Sequence, residues 1–138
     1  MNKVAVVYWS GTGNTAAMAQ AVAEGANAAL LEAAAFTAAD LGNYDAVAFG
    51  CPAMGAEQLE EGEFEPMFSA VEGSLNGKKI ALFGSYGWGS GEWMEAWSAR
   101  CQQDGAILKD VSGLIVNEEP DDDALDSCRL LGRELAAW

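Results

Sequence analysis

The feature of the sequence that most constrains its fold is an uninterrupted apolar segment followed at once by a glycine-rich turn and a helix pattern. Val4–Trp9 is built almost entirely from β-branched and aromatic residues, which is typical of a strand buried on both faces of a parallel sheet. Ser10–Thr15 supplies turn-forming and cap-forming residues, and the alanine-rich segment Ala16–Ala26 predicts a helix.

The same unit recurs along the chain, which predicts a single α/β domain over residues 1–138. Further strands are predicted at Asp45–Gly50, Lys79–Phe83 and Gly113–Val116, the last with Ile107–Leu108 as a candidate first part. Leu30–Phe36 is a weaker strand, since its alanines fit a helix equally well. Helices are predicted near Glu63–Glu72 and at Glu92–Gln103 and Asp121–Ala137. Such alternation predicts a parallel sheet with helices on both faces, where ligands bind beyond the carboxyl ends of the strands.

Composition excludes several classes of function. The chain has 7 Lys and Arg against 21 Asp and Glu, a net charge of −14 that disfavours nucleic acid and anionic membranes as partners. The absence of His removes the usual general base and the Ser-His and Cys-His nucleophile pairs. Three cysteines without a CxxC motif predict neither a metal site nor a disulfide framework, and favour the cytoplasm. We therefore expect no catalytic residue and no metal. We also expect a monomer.

The first loop, Ser10–Thr15, has the position and composition of an anion site. It follows a buried strand and precedes a helix, so backbone N–H groups and the helix dipole both favour an anion there. It lacks the lysine of a nucleoside triphosphate loop and does not match GxGxxG, which leaves a single phosphate monoester held by neutral donors. The other interpretation is a capped helix after a tight turn.

Two later loops carry apolar side chains suited to a flat ligand. Met54 lies beside Gly55 in the second loop, where its polarisable sulfur suits an aromatic surface and where Gly55 permits a peptide flip. Trp88 lies between two glycines in the third loop and is a candidate stacking surface. The alternatives are a methionine folded onto the core and a tryptophan packed into its own loop. Together the three loops predict a phosphate-bearing heterocyclic cofactor that supplies the chemistry itself.

These motifs resemble those of the short-chain flavodoxins of anaerobic bacteria. The matching segments are 7–15, 50–68, 78–97 and 115–121, and the most specific parts are Met54-Gly55 with its acidic continuation and Gly84-Ser85-Tyr86-Gly87-Trp88-Gly89. The resemblance implies a flavodoxin-like three-layer α/β/α sandwich with a five-stranded parallel sheet in the order 2-1-3-4-5. It also implies FMN, bound non-covalently.

The resemblance also implies roles for individual residues. Met54 and Trp88 would lie on the two faces of the isoalloxazine ring, the Gly55 carbonyl would meet flavin N5, and Glu57 would bond N3–H. The backbone around Trp88 and Gly89 would lie near N1 and O2. The complete set of cofactor-binding residues predicted in this way is Ser10, Gly11, Thr12, Gly13, Asn14, Thr15, Pro52, Ala53, Met54, Gly55, Ala56, Glu57, Ser85, Tyr86, Gly87, Trp88 and Gly89. Ala56 stands where some relatives carry Asp, and the segment between Asn14 and Asp45 is shorter than usual.

The function implied is that of a low-potential one-electron carrier that moves FMN between semiquinone and hydroquinone in place of ferredoxin. Its partners would be oxidoreductases with basic docking patches, bound transiently. The acidic runs would steer such encounters, although solubility is an equally simple explanation for them. The alternatives are an FMN-dependent NAD(P)H:quinone reductase and an FMN storage module.

Overall fold

A computed structural model describes residues 1–138 and shows a parallel β-sheet covered by helices on both faces. The strands are β1 (Val4–Tyr8), β2 (Ala29–Glu32), β3 (Ala46–Gly50), β4 (Lys79–Tyr86), β5 (Ile107–Leu108) and β6 (Leu114–Asn117). Their order is β2-β1-β3-β4-β5, with β6 paired to the same edge of β4. The predicted order 2-1-3-4-5 is confirmed.

The helices form the two outer layers. They are α1 (Asn14–Ala26), α2 (Ala38–Leu41), α3 (Phe64–Glu72), α4 (Glu92–Gln103) and α5 (Asp122–Ala137). The core has two parts, one on each face of the sheet. Alternate residues of β1 belong to different parts, because successive side chains of a strand point to opposite faces. Val4 and Val6 pack with α1 and α5, whereas Ala5 and Val7 pack with α3 and α4. None of the helices is both long and apolar enough to cross a membrane.

The fifth strand of the sheet is divided into two short segments. β5 pairs with Lys79 and Ile80, and β6 begins its pairing at Phe83, so residues 109–113 stand opposite only two residues of β4. The excess residues form a turn in which the N–H of Ser112 donates to the Asp110 carboxylate and Gly113 has a φ of 70°. The sequence predicted both segments, and the intervening turn explains why they do not join.

β4 extends three residues beyond its predicted end at Phe83. Gly84, Ser85 and Tyr86 pair with β6 on one side, and on the other the N–H of Ala53 donates to the Ser85 carbonyl at 3.0 Å. Gly84 permits this closeness, since a Cβ there would lie 2.1 Å from the carbonyl oxygen of Cys51. The extension carries Ser85 and Tyr86 to the carboxyl edge of the sheet.

The segment after α1 contains less strand than predicted. A weak strand was predicted over Leu30–Phe36. In the structure β2 ends at Glu32, and a single 3₁₀ turn follows at Ala33–Ala35. Ala33 and Phe36 turn into the core while the alanines between them are exposed. The alternation of buried and exposed positions that marks a strand therefore stops where the chain bends over the sheet.

Candidate functional site

Three loops meet beyond the carboxyl ends of β1, β3 and β4 and enclose a cleft of about 540 Å³. This volume is in the ordinary range for a small-molecule site. Its lining contains residues of all three loops and of the segment after β6: Gly11, Thr12, Asn14, Pro52, Ala53, Met54, Ser85, Tyr86, Gly87, Glu118 and Glu119. The cleft lies where an open α/β sheet is expected to bind its ligand.

The first loop is shaped by Ser10, whose side chain lies inside the turn. Ser10 Oγ accepts hydrogen bonds from the N–H groups of Gly13 at 3.2 Å and Ala16 at 3.1 Å. The backbone N–H groups of Gly11, Thr12 and Thr15 have no acceptor within the chain. These free donors at the start of α1 favour an anion, and no Lys or Arg lines the cleft beside them.

Thr15 and Ser85 connect the first loop to β4. Thr15 Oγ1 and Ser85 Oγ lie 2.8 Å apart, and the N–H of Ser85 donates to Thr15 Oγ1 at 3.3 Å. Both residues are buried, and Ser85 also accepts the N–H of Ala53 from the second loop. Ser85 is therefore in contact with all three loops, since its own chain continues into the third.

The second loop is closed by a pair of backbone hydrogen bonds between Met54 and Gln58, 2.8 and 2.9 Å long. Inside this closure Gly55 has a φ of 51° and Glu57 a φ of 57°, both in the left-handed region. A Cβ at Gly55 would meet nothing within 4 Å, so only the backbone conformation makes glycine favourable there. The Met54 side chain is 37% exposed and lies at the cleft rather than in the core.

Only one oxygen of the Glu57 carboxylate has a hydrogen-bond partner. Its Oε2 accepts the N–H of Trp93 at 3.1 Å, at the start of α4, whereas its Oε1 is buried and has no hydrogen-bond partner. A Cβ at Gly89 would lie 2.1 Å from Oε1, so the third loop closes over this oxygen. A buried acceptor without a donor is costly, which makes Glu57 a candidate acceptor for a ligand N–H.

The third loop is fixed at its base and free at its tip. Asn117 Nδ2 donates to the carbonyls of Tyr86 and Gly87, and the N–H of Glu118 donates to Tyr86 at 2.7 Å. Beyond this base, Trp88 is 72% exposed. A ring that packs on so little of its own chain offers its face to a ligand.

Two titratable groups behind the second loop have shifted pKa values. Burial raises the pKa of the Cys51 thiol to about 12, so this residue beside the cleft stays protonated and unreactive. Burial acts to raise the pKa of Glu60 as well, but hydrogen bonds from the N–H groups of Phe64, Glu63 and Gly62 outweigh it and lower that pKa. Glu60 therefore remains a carboxylate, and it holds the start of α3.

The structure brings nine of the predicted site residues into the lining of the cleft. The predicted residues outside that lining are Ser10, Gly13, Thr15, Gly55, Ala56, Glu57, Trp88 and Gly89. Ser10 and Thr15 shape the first loop from within, and Trp88 is largely exposed at the tip of the third loop. Glu118 and Glu119 line the cleft and were not among the predicted site residues. The sequence could have identified them by their position directly after a strand, because the same criterion identified the other three loops.

Comparisons with a family model, with curated proteins and with solved structures all match the chain to the same family. The family model described as flavodoxin matches residues 6–132. The chain is 45% identical to a flavodoxin of Megasphaera elsdenii over 96% of this chain and 98% of that one, and 41% identical to a flavodoxin of Clostridium beijerinckii over 95% and 97%. It superposes on the solution structure of two-electron reduced M. elsdenii flavodoxin with a TM-score of 0.86 at 42% identity, covering 98% of this chain and 99% of that one.

Proposed function

Because this chain belongs to the flavodoxin family of FMN-binding electron carriers, we propose that it passes single electrons at low potential between oxidoreductases in place of a ferredoxin. It is an electron-transfer protein and not an enzyme. The observation that supports the proposal best is the cleft itself, in which free backbone N–H groups suit an anion and the exposed Met54 side chain suits a flat ring.

The residues at the cleft fit FMN at both of its ends. The free N–H groups of Gly11, Thr12 and Thr15 suit a phosphate monoester. The unpartnered Oε1 of Glu57 suits the single N–H of an oxidised isoalloxazine ring. FMN supplies the redox chemistry, and the protein sets its potential by binding its redox states with different free energies.

Each part of the chain has a separate task in this proposal. The first loop would hold the phosphate, while Met54 and Trp88 would cover the faces of the ring and exclude water. The Gly55 carbonyl would face the edge of the ring, where it would accept a hydrogen bond from a protonated ring nitrogen. The carboxylates of Glu57, Glu118 and Glu119 raise the free energy of added negative charge, which lowers the potential.

Replacing Gly55 with alanine is expected to lower the potential for the first electron by roughly 40–90 mV. Gly55 has a φ of 51°, where a Cβ costs about 1–2 kcal/mol even though it meets no neighbour. We expect this cost to fall on the one-electron-reduced state, in which the Gly55 carbonyl would face the ring, because the oxidised state can relieve it by flipping the peptide. Potentiometric titration of the variant measures the shift. The matched control is Gly42→Ala, which lies away from the cleft with a φ of −68° and open space at its Cβ. Equal potentials in the variant and the wild type would contradict the role of Gly55.

The distribution of charge favours partners with basic docking patches. Six acidic residues lie in 57–72 and six in 118–126, which together hold 12 of the 21 in the chain and follow β3 and β6 at the cleft. Lys3, Lys78 and Lys79 lie at the opposite end, where β1 and β4 begin. The molecule therefore has an electrostatic dipole that orients the cleft toward a positive surface.

Reduction by such a partner is expected to slow about tenfold or more when ionic strength rises from about 0.01 to 0.15 M, because the Debye length falls from roughly 30 to 8 Å. Stopped-flow reduction by a low-potential oxidoreductase measures the rate, and reduction by a small uncharged reductant is the control. Glu119→Gln is expected to lower the rate with the partner more than Glu134→Gln, which removes the same charge from α5. A rate with the partner that does not depend on salt would favour solubility as the only role of the acids.

We also propose that the carrier acts as a monomer in the cytoplasm. The three cysteines are unpaired and buried, as suits a reducing compartment. Burial raises the pKa of Cys101 to about 12 and of Cys128 to about 11, so neither thiol is activated for exchange. Sedimentation equilibrium of the FMN-loaded protein tests the oligomeric state.

A further inference from the structure

The buried contact between Thr15 and Ser85 has an incomplete hydrogen-bond balance. Thr15 is 1% exposed and Ser85 5% exposed, and their hydroxyl oxygens lie 2.8 Å apart. The N–H of Ser85 also donates to Thr15 Oγ1. Neither hydroxyl has a further partner within the chain.

Two hydroxyl groups bring two protons, and their mutual hydrogen bond uses one. The second proton has no acceptor in the protein, although both oxygens are buried. A buried donor without an acceptor is destabilising, so this proton is available to an external acceptor beside the pair. The first loop, in which the N–H groups of Gly11, Thr12 and Thr15 are free, identifies that acceptor as an anion.

The surroundings of Thr15 indicate which hydroxyl delivers the second proton. The N–H of Thr15 has no acceptor, so an anion oxygen bound by that N–H lies next to Thr15 Oγ1 as well. Thr15 Oγ1 has two lone pairs, which accept the N–H and the O–H of Ser85 together and leave its own proton free. Ser85 Oγ lacks such a pair of donors.

We propose that Ser85 is a positioning residue for phosphate recognition, whose hydroxyl donates to Thr15 Oγ1 and so directs the Thr15 proton to the FMN phosphate. This inference rests on the proposed function, since it takes the phosphate of FMN as the ligand of the first loop. In a site without a cation near the phosphate, the direction of a hydroxyl proton decides whether that group attracts or repels the anion. Successive hydrogen bonds also strengthen one another.

The test compares FMN with riboflavin, which has the same ring and ribityl chain but no phosphate. Thr15→Val is expected to weaken FMN binding roughly 10- to 100-fold, as for a lost hydrogen bond to a charged group. Ser85→Ala is expected to weaken it about three- to tenfold, and the double variant about as much as Thr15→Val alone. Riboflavin affinity stays within about twofold of the wild-type value in all three. Thr15→Ser, which keeps the hydroxyl, restores FMN binding. Dissociation constants come from quenching of flavin fluorescence.

Three results would overturn the proposal. Equal weakening of riboflavin and FMN by Ser85→Ala would show that Ser85 only supports the fold of the cleft. Additive losses in the double variant would show two independent contacts. A larger loss for Ser85→Ala than for Thr15→Val would reverse the direction of the proton. A failure of the proposed function is distinguishable, because it would appear as two-electron reduction of the bound FMN in the wild-type protein and would leave these affinities unchanged.

Discussion

Replacing Trp88 with alanine is expected to weaken FMN binding by roughly 10- to 100-fold while leaving the stability of the cofactor-free protein unchanged. Stacking of an aromatic side chain on a flat heterocycle contributes about 1–3 kcal/mol. Trp88 is 72% exposed, so its ring contributes little packing to the fold itself. Fluorescence titration with FMN measures the affinity, and thermal unfolding of the apoprotein measures the stability.

Trp88→Phe serves as the matched control, since it keeps an aromatic face of smaller area. We expect its loss of affinity to lie between those of the wild type and Trp88→Ala. Unchanged affinity in Trp88→Ala would show that the third loop contributes only backbone contacts. A fall in apoprotein stability would mean that the ring packs onto the protein in solution.

The second large effect is expected from Gly132→Ala, which lowers the free energy of unfolding by about 2–3 kcal/mol, in the upper part of the usual range for overpacking. Gly132 lies where α5 crosses α1, and a Cβ there would be 2.1 Å from the carbonyl oxygen of Val22. Gly25 of α1 is equally close to Arg129 of α5, with a Cβ 1.9 Å from its carbonyl oxygen. Because both obstacles are backbone atoms, the helices must move apart.

Calorimetry of the FMN-loaded protein is expected to show a fall in Tm of roughly 7–10 °C for Gly132→Ala. Gly73→Ala is the control, because Gly73 has a φ of −66° and a Cβ there meets nothing within 4 Å. That variant is expected to gain up to about 1 kcal/mol from the smaller entropy of its unfolded chain. If the Tm of Gly132→Ala lay within about 2 °C of the Tm of Gly73→Ala, α1 and α5 would separate at little cost in free energy, and the prediction would be wrong.

The parts of the fold that were predictable from the sequence are those with a local signal. The bounds of α4 and the parallel sheet follow from local sequence patterns and from the alternation of strands and helices, whereas the strand order was predicted from the family resemblance. The predicted end of β4 was wrong, since Gly84 resembles a strand terminator. β4 continues to Tyr86 because Gly84 lets the Cys51 carbonyl approach and because β6 pairs with this part of β4. Both contacts join residues that are distant in sequence.

The site shows the same division. The position of Ser10–Thr15 after a buried strand and before a helix was enough to predict an anion site. The contact between Thr15 and Ser85 spans 70 residues, and no local pattern predicts it. Glu118 enters the cleft because β6 ends beside Tyr86, which depends on how the chain turns at 109–113.

The measurement that tests the central claim most directly is an anaerobic reductive titration of the purified protein followed by visible absorption. A carrier of single electrons is predicted to hold one FMN per chain and to turn from yellow to blue and then to colourless, in two separated one-electron steps. Reduction of the bound FMN in one two-electron step, with no blue species at any point, would contradict one-electron transfer as the function of this protein.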